Sequence, residues 1–277
     1  MPELKMISPL LTNMEVVKCI SVRGGTSVYI VKSTKSNQSY YLKHICIPES
    51  QKQVDALMFT GAAATKEDAQ KYYEQVVSDY QTELTTLETL SASPNLDCFR
   101  SYQIAPKEDG VGYDMYLLAE HRKTLVDYLS DNAMTKLCAV NLAMDLCSAL
   151  IDLRAAGLIH RDVKPQNILR RENGRFVLID FDAARLYDAD ADTDTRCIVT
   201  MGYAAPEQYG LAQTDVRSDL FSLGVTLYEM KTGEHYVMGA KCEGALHAVI
   251  ARCTAFDPKK RYASAEELLR ALDAQTP

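Results

Sequence analysis

Near the N-terminus apolar and polar residues alternate. VVKCISV, SVYIVKS and YYLKHICI read as three short strands, separated by Gly24-Gly25 and by a polar turn over residues 33–39. Together they predict a small antiparallel sheet, followed by residues 48–64, which read as loop. From Thr65 the period changes. Ala69, Tyr73, Val76, Tyr80, Leu87 and Leu90 recur at steps that combine fours and threes, and Asp68 stands three residues after a Thr65 cap. The spacing predicts one long helix over 65–91, with Glu83 placing a charge on its apolar stripe. Such a carboxylate either has a cationic partner or lies at a wet edge, because burying it unpaired costs several kcal/mol.

A further strand, MYLLAEH, gives way to helical patterning over 124–130 and through MTKLCAVNLAMDLCSALIDLRAAG, which Gly157 closes. RFVLIDF then reads as a strand, followed by an acidic loop and three helices near 218–231, 244–255 and 264–274. Strands first and helices after imply an α+β chain with two lobes. We place residues 1–121 in a small antiparallel-sheet lobe with one long helix, and residues 122–277 in a mainly helical lobe.

Composition narrows the function classes. The 277 residues are 47% hydrophobic, enough for a substantial interior, and carry a net charge of −7. That charge argues against a broad face for phosphate backbones, so no nucleic-acid partner is expected. The eight cysteines form no C-x-x-C pair and the first residues lack the regions of a signal peptide, so a cytoplasmic location is expected. Asp145, Asp152, Arg154 and Glu229 interrupt the most apolar segments, so no membrane span is expected.

Chemistry concentrates in two stretches, HRDVKPQN at 160–167 and LIDFDAAR at 178–185. Asp162, Lys164 and Asn167 on one loop, with Asp180 at a strand end, are what phosphoryl transfer requires: a carboxylate near the incoming hydroxyl, a cation for the moving phosphate, and oxygen ligands for Mg²⁺. With Ala205-Pro206-Glu207 following in order, the chain resembles the eukaryotic-like (Hanks-type) serine/threonine protein kinase family, in the manner of a bacterial member. The resemblance covers nearly the whole chain and implies a bilobal protein kinase-like fold.

It also implies roles for individual residues. Asp162 would accept the proton of a serine or threonine hydroxyl on a protein substrate, Lys164 would stabilise the phosphoryl group of ATP, and Asn167 and Asp180 would hold Mg²⁺. Lys43 would pair with Glu83 to position the nucleotide phosphates. Gly24 and Gly25 belong to the phosphate loop, Glu120 and Arg122 would offer hinge backbone groups to adenine beside the small Ala119, and Val28 and Leu169 would cover the base. Asp219 would brace the catalytic loop and Arg261 would pair with Glu207. Lys164 and Thr200 follow the serine/threonine pattern, although a simple turn hydroxyl would also explain Thr200. Arg161 often meets a phosphate in this family. In the loop at 186–198, Thr193 and Thr195 would receive one, unless the aspartates there already supply the charge or the loop is merely solvated, and Thr200 just beyond it is a further regulatory candidate.

Some positions depart from the pattern. Ser21, Arg23 and Thr26 stand where the family usually has glycines, and Tyr41 replaces a small alanine beside the adenine site. Asp182 replaces the glycine of D-F-G, either locking the segment through a hydrogen bond or simply tolerated there. Few residues separate Gly233 from Asp257, so an additional substrate-docking helix is expected to be short or missing. The helix at 65–91 would offer Tyr72, Tyr73 and Tyr80 to a regulator, unless these pack into the core. The leading expectation is an active protein kinase. A pseudokinase acting as a binding or scaffold module is the alternative, and a small-molecule kinase a third.

Overall fold

The computed structural model describes residues 11–108, 110–132, 134–187, 200–210, 213–244 and 246–274. In chain order the elements are β1 (Met14–Arg23), β2 (Thr26–Ser33), β3 (Ser39–Ile47), α1 (Gln51–Phe59), α2 (Lys66–Thr89), β4 (Leu96–Asp97), β5 (Ser101–Pro106), β6 (Tyr113–Glu120), α3 (Leu125–Asp131), α4 (Lys136–Ala155), β7 (Leu158–Ile159), β8 (Ile168–Arg170), β9 (Phe176–Ile179), β10 (Arg185–Leu186), α5 (Val216–Thr232), α6 (His247–Cys253) and α7 (Ala265–Asp273). They form two compact units. One takes the chain up to Thr85 together with Phe99–Arg122, the other Thr86–Cys98 together with the chain from Lys123 onward.

The first unit is built on a sheet in the order β1-β2-β3-β6-β5, with every neighbouring pair antiparallel. Arg23 faces Thr26 across the first hairpin, so Gly24-Gly25 alone make the turn, with φ of 50° and 72°. Two consecutive positive φ angles are what a tight two-residue hairpin demands and what glycine allows at least cost. A side chain at Gly25 would also bring its Cβ to 2.7 Å from Glu49 Cα.

Strand alternation divides the apolar residues between the two faces of this sheet. Tyr29, Val31, Leu42, Tyr116 and Leu118 pack with Leu11 on one face. On the other, Ile47 and Met115 meet Ala69, Tyr73, Val77 and Leu84 of α2 and Val54 of α1. Removing each of the valine, leucine, isoleucine and methionine side chains among them from water is worth roughly 1.5–3 kcal/mol.

Three sequence expectations change here. Residues 48–64 are not simply loop, because α1 occupies nine of them. Val54 is that helix's one buried residue, so there is no apolar stripe to read. In α2 the buried positions are Ala69, Tyr73, Val77, Leu84 and Leu87, with Val76 and Tyr80 at the flank. Of the three tyrosines, Tyr73 and Tyr80 pack into the core against the sheet, the alternative to a docking face, and Tyr72 is the exposed one. The start of the helix is as expected. Asp68 N–H donates to Thr65 Oγ1 at 3.2 Å while Thr65 N–H donates to Asp68 Oδ2 at 3.0 Å, a reciprocal cap.

The second unit packs around α4 and α5. α4 follows the Thr135 cap and ends at Ala155, with Gly157 just past the cap residue at a φ of 74°. α5 is buried from Ser218 to Tyr228, between an Asp215 cap and a left-handed Gly233. At Gly224 a Cβ would lie 2.5 Å from Cys253 Cβ, so glycine permits the close approach of α5 to α6. Among the described residues no helix lies between α5 and α6, in keeping with the short stretch there. β9 pairs with β4 in parallel and with β8 antiparallel, while β7 pairs with β10. Among the described residues no helix is long and apolar enough to cross a membrane, and their seven cysteines are free thiols.

Candidate active site

The loop after β7 is fixed from below by α5. Asp219, buried in the first turn of that helix, accepts the N–H of His160 at 2.9 Å and of Arg161 at 2.7 Å. Burial pushes its carboxyl up, opposed by the nearby His160 and Arg161 and by those two backbone donors. Arg161 takes a φ of 68°, a strained backbone for a side-chain residue, held by these bonds and by Gln208 Nε2, which donates to its carbonyl at 2.8 Å. His160 works in both directions. Its Nδ1 accepts the Asp162 N–H at 3.2 Å and its Nε2 donates to the Ile179 carbonyl at 3.2 Å, a pair of bonds that fixes one tautomer. The same ring meets Phe181 edge-on at 4.9 Å, tying the loop to the segment that carries Asp180.

Three of the expected residues converge on the carboxylate of a fourth, Asp162. Asp162 Oδ2 accepts Asn167 Nδ2 at 2.8 Å and lies 2.7 Å from Lys164 Nζ, while its Oδ1 accepts the Thr200 hydroxyl at 2.6 Å. Lys164 Nζ also donates to Thr200 Oγ1 at 3.0 Å. Thr200 is thus more than a turn hydroxyl. Asn167 spends its amide hydrogens on Asp162, on the side chain and on the backbone carbonyl at 2.9 Å, which leaves its Oδ1 as the acceptor for a cation. Asp180, at the end of β9 with a φ of 63°, is half-buried. Hard oxygen donors of this kind, one amide and one carboxylate, fit Mg²⁺. Asp182 N–H donates to Asp180 Oδ1 at 3.4 Å, a bond a glycine there would also supply. Leu169, on β8, is buried.

In the sheet unit, Lys43 sits at the centre of β3, between Val28 on β2 and Leu117 on β6. Alternation places it on the same face as Ile45 and Ile47, which pack toward α2, and Glu83 is half-buried on α2 next to Leu84. Tyr41 faces Ala119 across the strands, and its ring lies tilted against His121 at 4.6 Å. Glu120 is clamped between the guanidinium groups of Arg100 and Arg122. Gly24 and Gly25 are accounted for by the hairpin turn itself.

Residues 24–272 match the family of the protein kinase domain. The chain belongs to the protein kinase family. It is 30% identical over 231 residues to a probable serine/threonine-protein kinase of Clostridium perfringens, covering 82% of this chain and 30% of that protein. It is also 32% identical over 194 residues to the serine/threonine-protein kinase PknB of Mycobacterium leprae, covering 60% and 31%. With serine/threonine-protein kinase A of a Synechocystis species the identity is 34% over 148 residues, covering 43% and 28%. The chain therefore spans less than a third of the length of these curated relatives.

The segment that carries Ala-Pro-Glu is anchored by a buried ion pair. Glu207, of Ala-Pro-Glu, meets Arg261 at 2.6 and 2.9 Å with both groups buried, and Ser218 Oγ adds a bond at 2.7 Å. Arg261 is further satisfied by the carbonyls of Ala255, Arg217 and Phe256. Sequence reasoning missed Gln208, which joins this segment to the catalytic loop by accepting the Ala205 N–H at 3.0 Å and donating to Arg161. Nothing but its place next to Glu207 signals that role. The expected phosphate acceptors Thr193 and Thr195 lie outside the described residues.

Proposed function

We propose that this domain is an active serine/threonine protein kinase that transfers the γ-phosphoryl group of ATP to serine or threonine hydroxyls of protein substrates. The observation that carries the reading is the cluster at Asp162, where an aliphatic hydroxyl, that of Thr200, reaches the carboxylate and Lys164 together. A substrate hydroxyl on the same carboxylate would be oriented by it and lose its proton to it. Lys164 would carry positive charge to the transferring group. Asn167 and Asp180 would hold Mg²⁺, which when bound offsets phosphate charge. Lys43, paired with Glu83, would position the α- and β-phosphates, and the backbone of Glu120 and Arg122 would meet adenine, with Val28 and Leu169 as the apolar contacts of the base.

Thr193 and Thr195 remain candidates for phosphorylation, with Arg161 as the cation of the catalytic loop. Thr200 is a poor one, because a phosphate there would place about two negative charges against Asp162. The protein is taken to act in the cytoplasm. Incubation with Mg²⁺ and ATP, followed by intact mass and phosphosite mapping beside an Asp162→Asn control, tests the reading. Phosphate gained by the wild type and not by the variant supports it. Bound nucleotide with no transfer to the protein or to serine- and threonine-containing peptides would overturn it in favour of a binding module.

A further inference from the structure

On the sheet face opposite Lys43, three side chains bring a nitrogen, a sulfur and an oxygen together. His44 and Cys46 are two apart on β3 and so share a face, and Asp114 lies directly across from Cys46 on β6. His44 Nε2 is 2.8 Å from Asp114 Oδ1 and 3.8 Å from Cys46 Sγ, and all three potential ligand atoms fall within 4.8 Å of one another. Both acidic partners therefore address one ring nitrogen, which has a single position for a proton or a metal. We propose that His44, Cys46 and Asp114 form a transition-metal site whose natural occupant is Zn²⁺.

The chemistry fits that ion. Imidazole, thiolate and carboxylate are its usual ligands, with bonds of about 2.0–2.3 Å, and three protein donors leave a fourth tetrahedral position for water. A thiolate and a carboxylate together balance the two positive charges. A mixed N, S, O set is too soft for Mg²⁺ or Ca²⁺. The ligands are also presented rigidly, since β3 and β6 are inner strands of the sheet and the His44 ring stacks on buried Tyr116 at 4.6 Å and 6°. Each side chain is half-buried, so an ion can enter.

Without metal the cluster is an ion pair. Burial works against a charged His44, but Asp114, helped by Cys46, outweighs it and lifts the ring to about 9. Zinc would replace that proton and cross-link β3 to β6, against a modest opposing charge from Lys107, which acts on Asp114.

The test uses the whole chain, stripped by a chelator and titrated with Co²⁺ and then displaced by Zn²⁺. One equivalent of Co²⁺ should bind with a thiolate-to-metal charge-transfer band. The band should vanish in Cys46→Ser and survive in Cys98→Ser, and Asp114→Asn should weaken binding about tenfold or more. Thermal unfolding should shift upward with Zn²⁺ in the wild type and not in Cys46→Ser, whose far-ultraviolet circular dichroism reports whether it folds. No stoichiometric band, or a band that persists in folded Cys46→Ser, overturns the proposal and leaves His44 and Asp114 as an ion pair.

Discussion

In the helical unit Asp162 is held by three side chains and its loop by a buried carboxylate. In the sheet unit the turn expected to meet phosphates keeps two glycines, both of which the hairpin already requires, between Arg23 and Thr26. The contrast follows from what each half is asked to do. A proton acceptor works only within hydrogen-bond reach of its partner, so the residues that aim Asp162 are few and specific. A nucleotide held by backbone groups and apolar surface can be accommodated by several sequences. On the proposed function, the sheet unit can therefore carry Arg23 and Tyr41 where the family resemblance implies glycine and alanine.

The largest effect should come from the helical unit. Asp162→Asn keeps the shape and the contact with Asn167 while removing the proposed base, so phosphoryl transfer should fall by about 10²–10⁴-fold with little change in stability. Steady-state turnover with a peptide substrate measures the first, thermal unfolding the second. A loss of a few-fold would mean that the tight cluster in this unit is not the reacting centre.

Next comes the buried anchor. Glu207→Gln leaves the Arg261 guanidinium buried without its counter-charge, which should destabilise by about 3–5 kcal/mol. Hydrogen exchange should assign the loss to α5 and the loop before it. Were the loss under about 1 kcal/mol, the three other bonds of Arg261, to the carbonyls of Ala255, Arg217 and Phe256, would be sufficient, and this unit would depend less on single contacts.

In the sheet unit Gly25→Ala should cost about 1–3 kcal/mol, because the residue takes a φ of 72° against the Glu49 backbone. The loss should be read as faster exchange in β1 and β2. If folding is unchanged and only ATP affinity falls, the glycine serves phosphate and not the turn.

The two units also differ in how far they could be read from the chain. β1 to β3, the Thr65 cap and α4 were legible because alternation, a reciprocal cap and a 3.6-residue period are local signals. The convergence of Asp162, Lys164 and Asn167 was legible because they are neighbours in sequence. α1 buries one residue, and β5 is partly buried along most of its length, so neither leaves a pattern. α2 was placed correctly, but its stripe runs through Val77 and Leu84 because neighbouring residues on a helix differ by only a quarter of a turn in which face they show. The pairings of Gln208 with Arg161, of Arg100 with Glu120, and of Asp114 with His44 cross stretches of chain that no local period announces.

The smallest effect tests the position that departs most from the family. Tyr41 faces the small Ala119, and its ring leans on His121 in the segment that follows β6. Because that contact gives the phenol a place of its own, Tyr41→Ala should change the KM for ATP by less than tenfold, under about 1.4 kcal/mol, with kcat unaltered. The lost ring contact should cost about 0.5–1.5 kcal/mol in stability. A KM that falls by much more than tenfold would show the ring obstructing the base. One that rises as far would show it packing on the base. The second outcome would reverse the comparison at this position, since the sheet unit would then have replaced a family residue with a contact of its own and not merely tolerated the change.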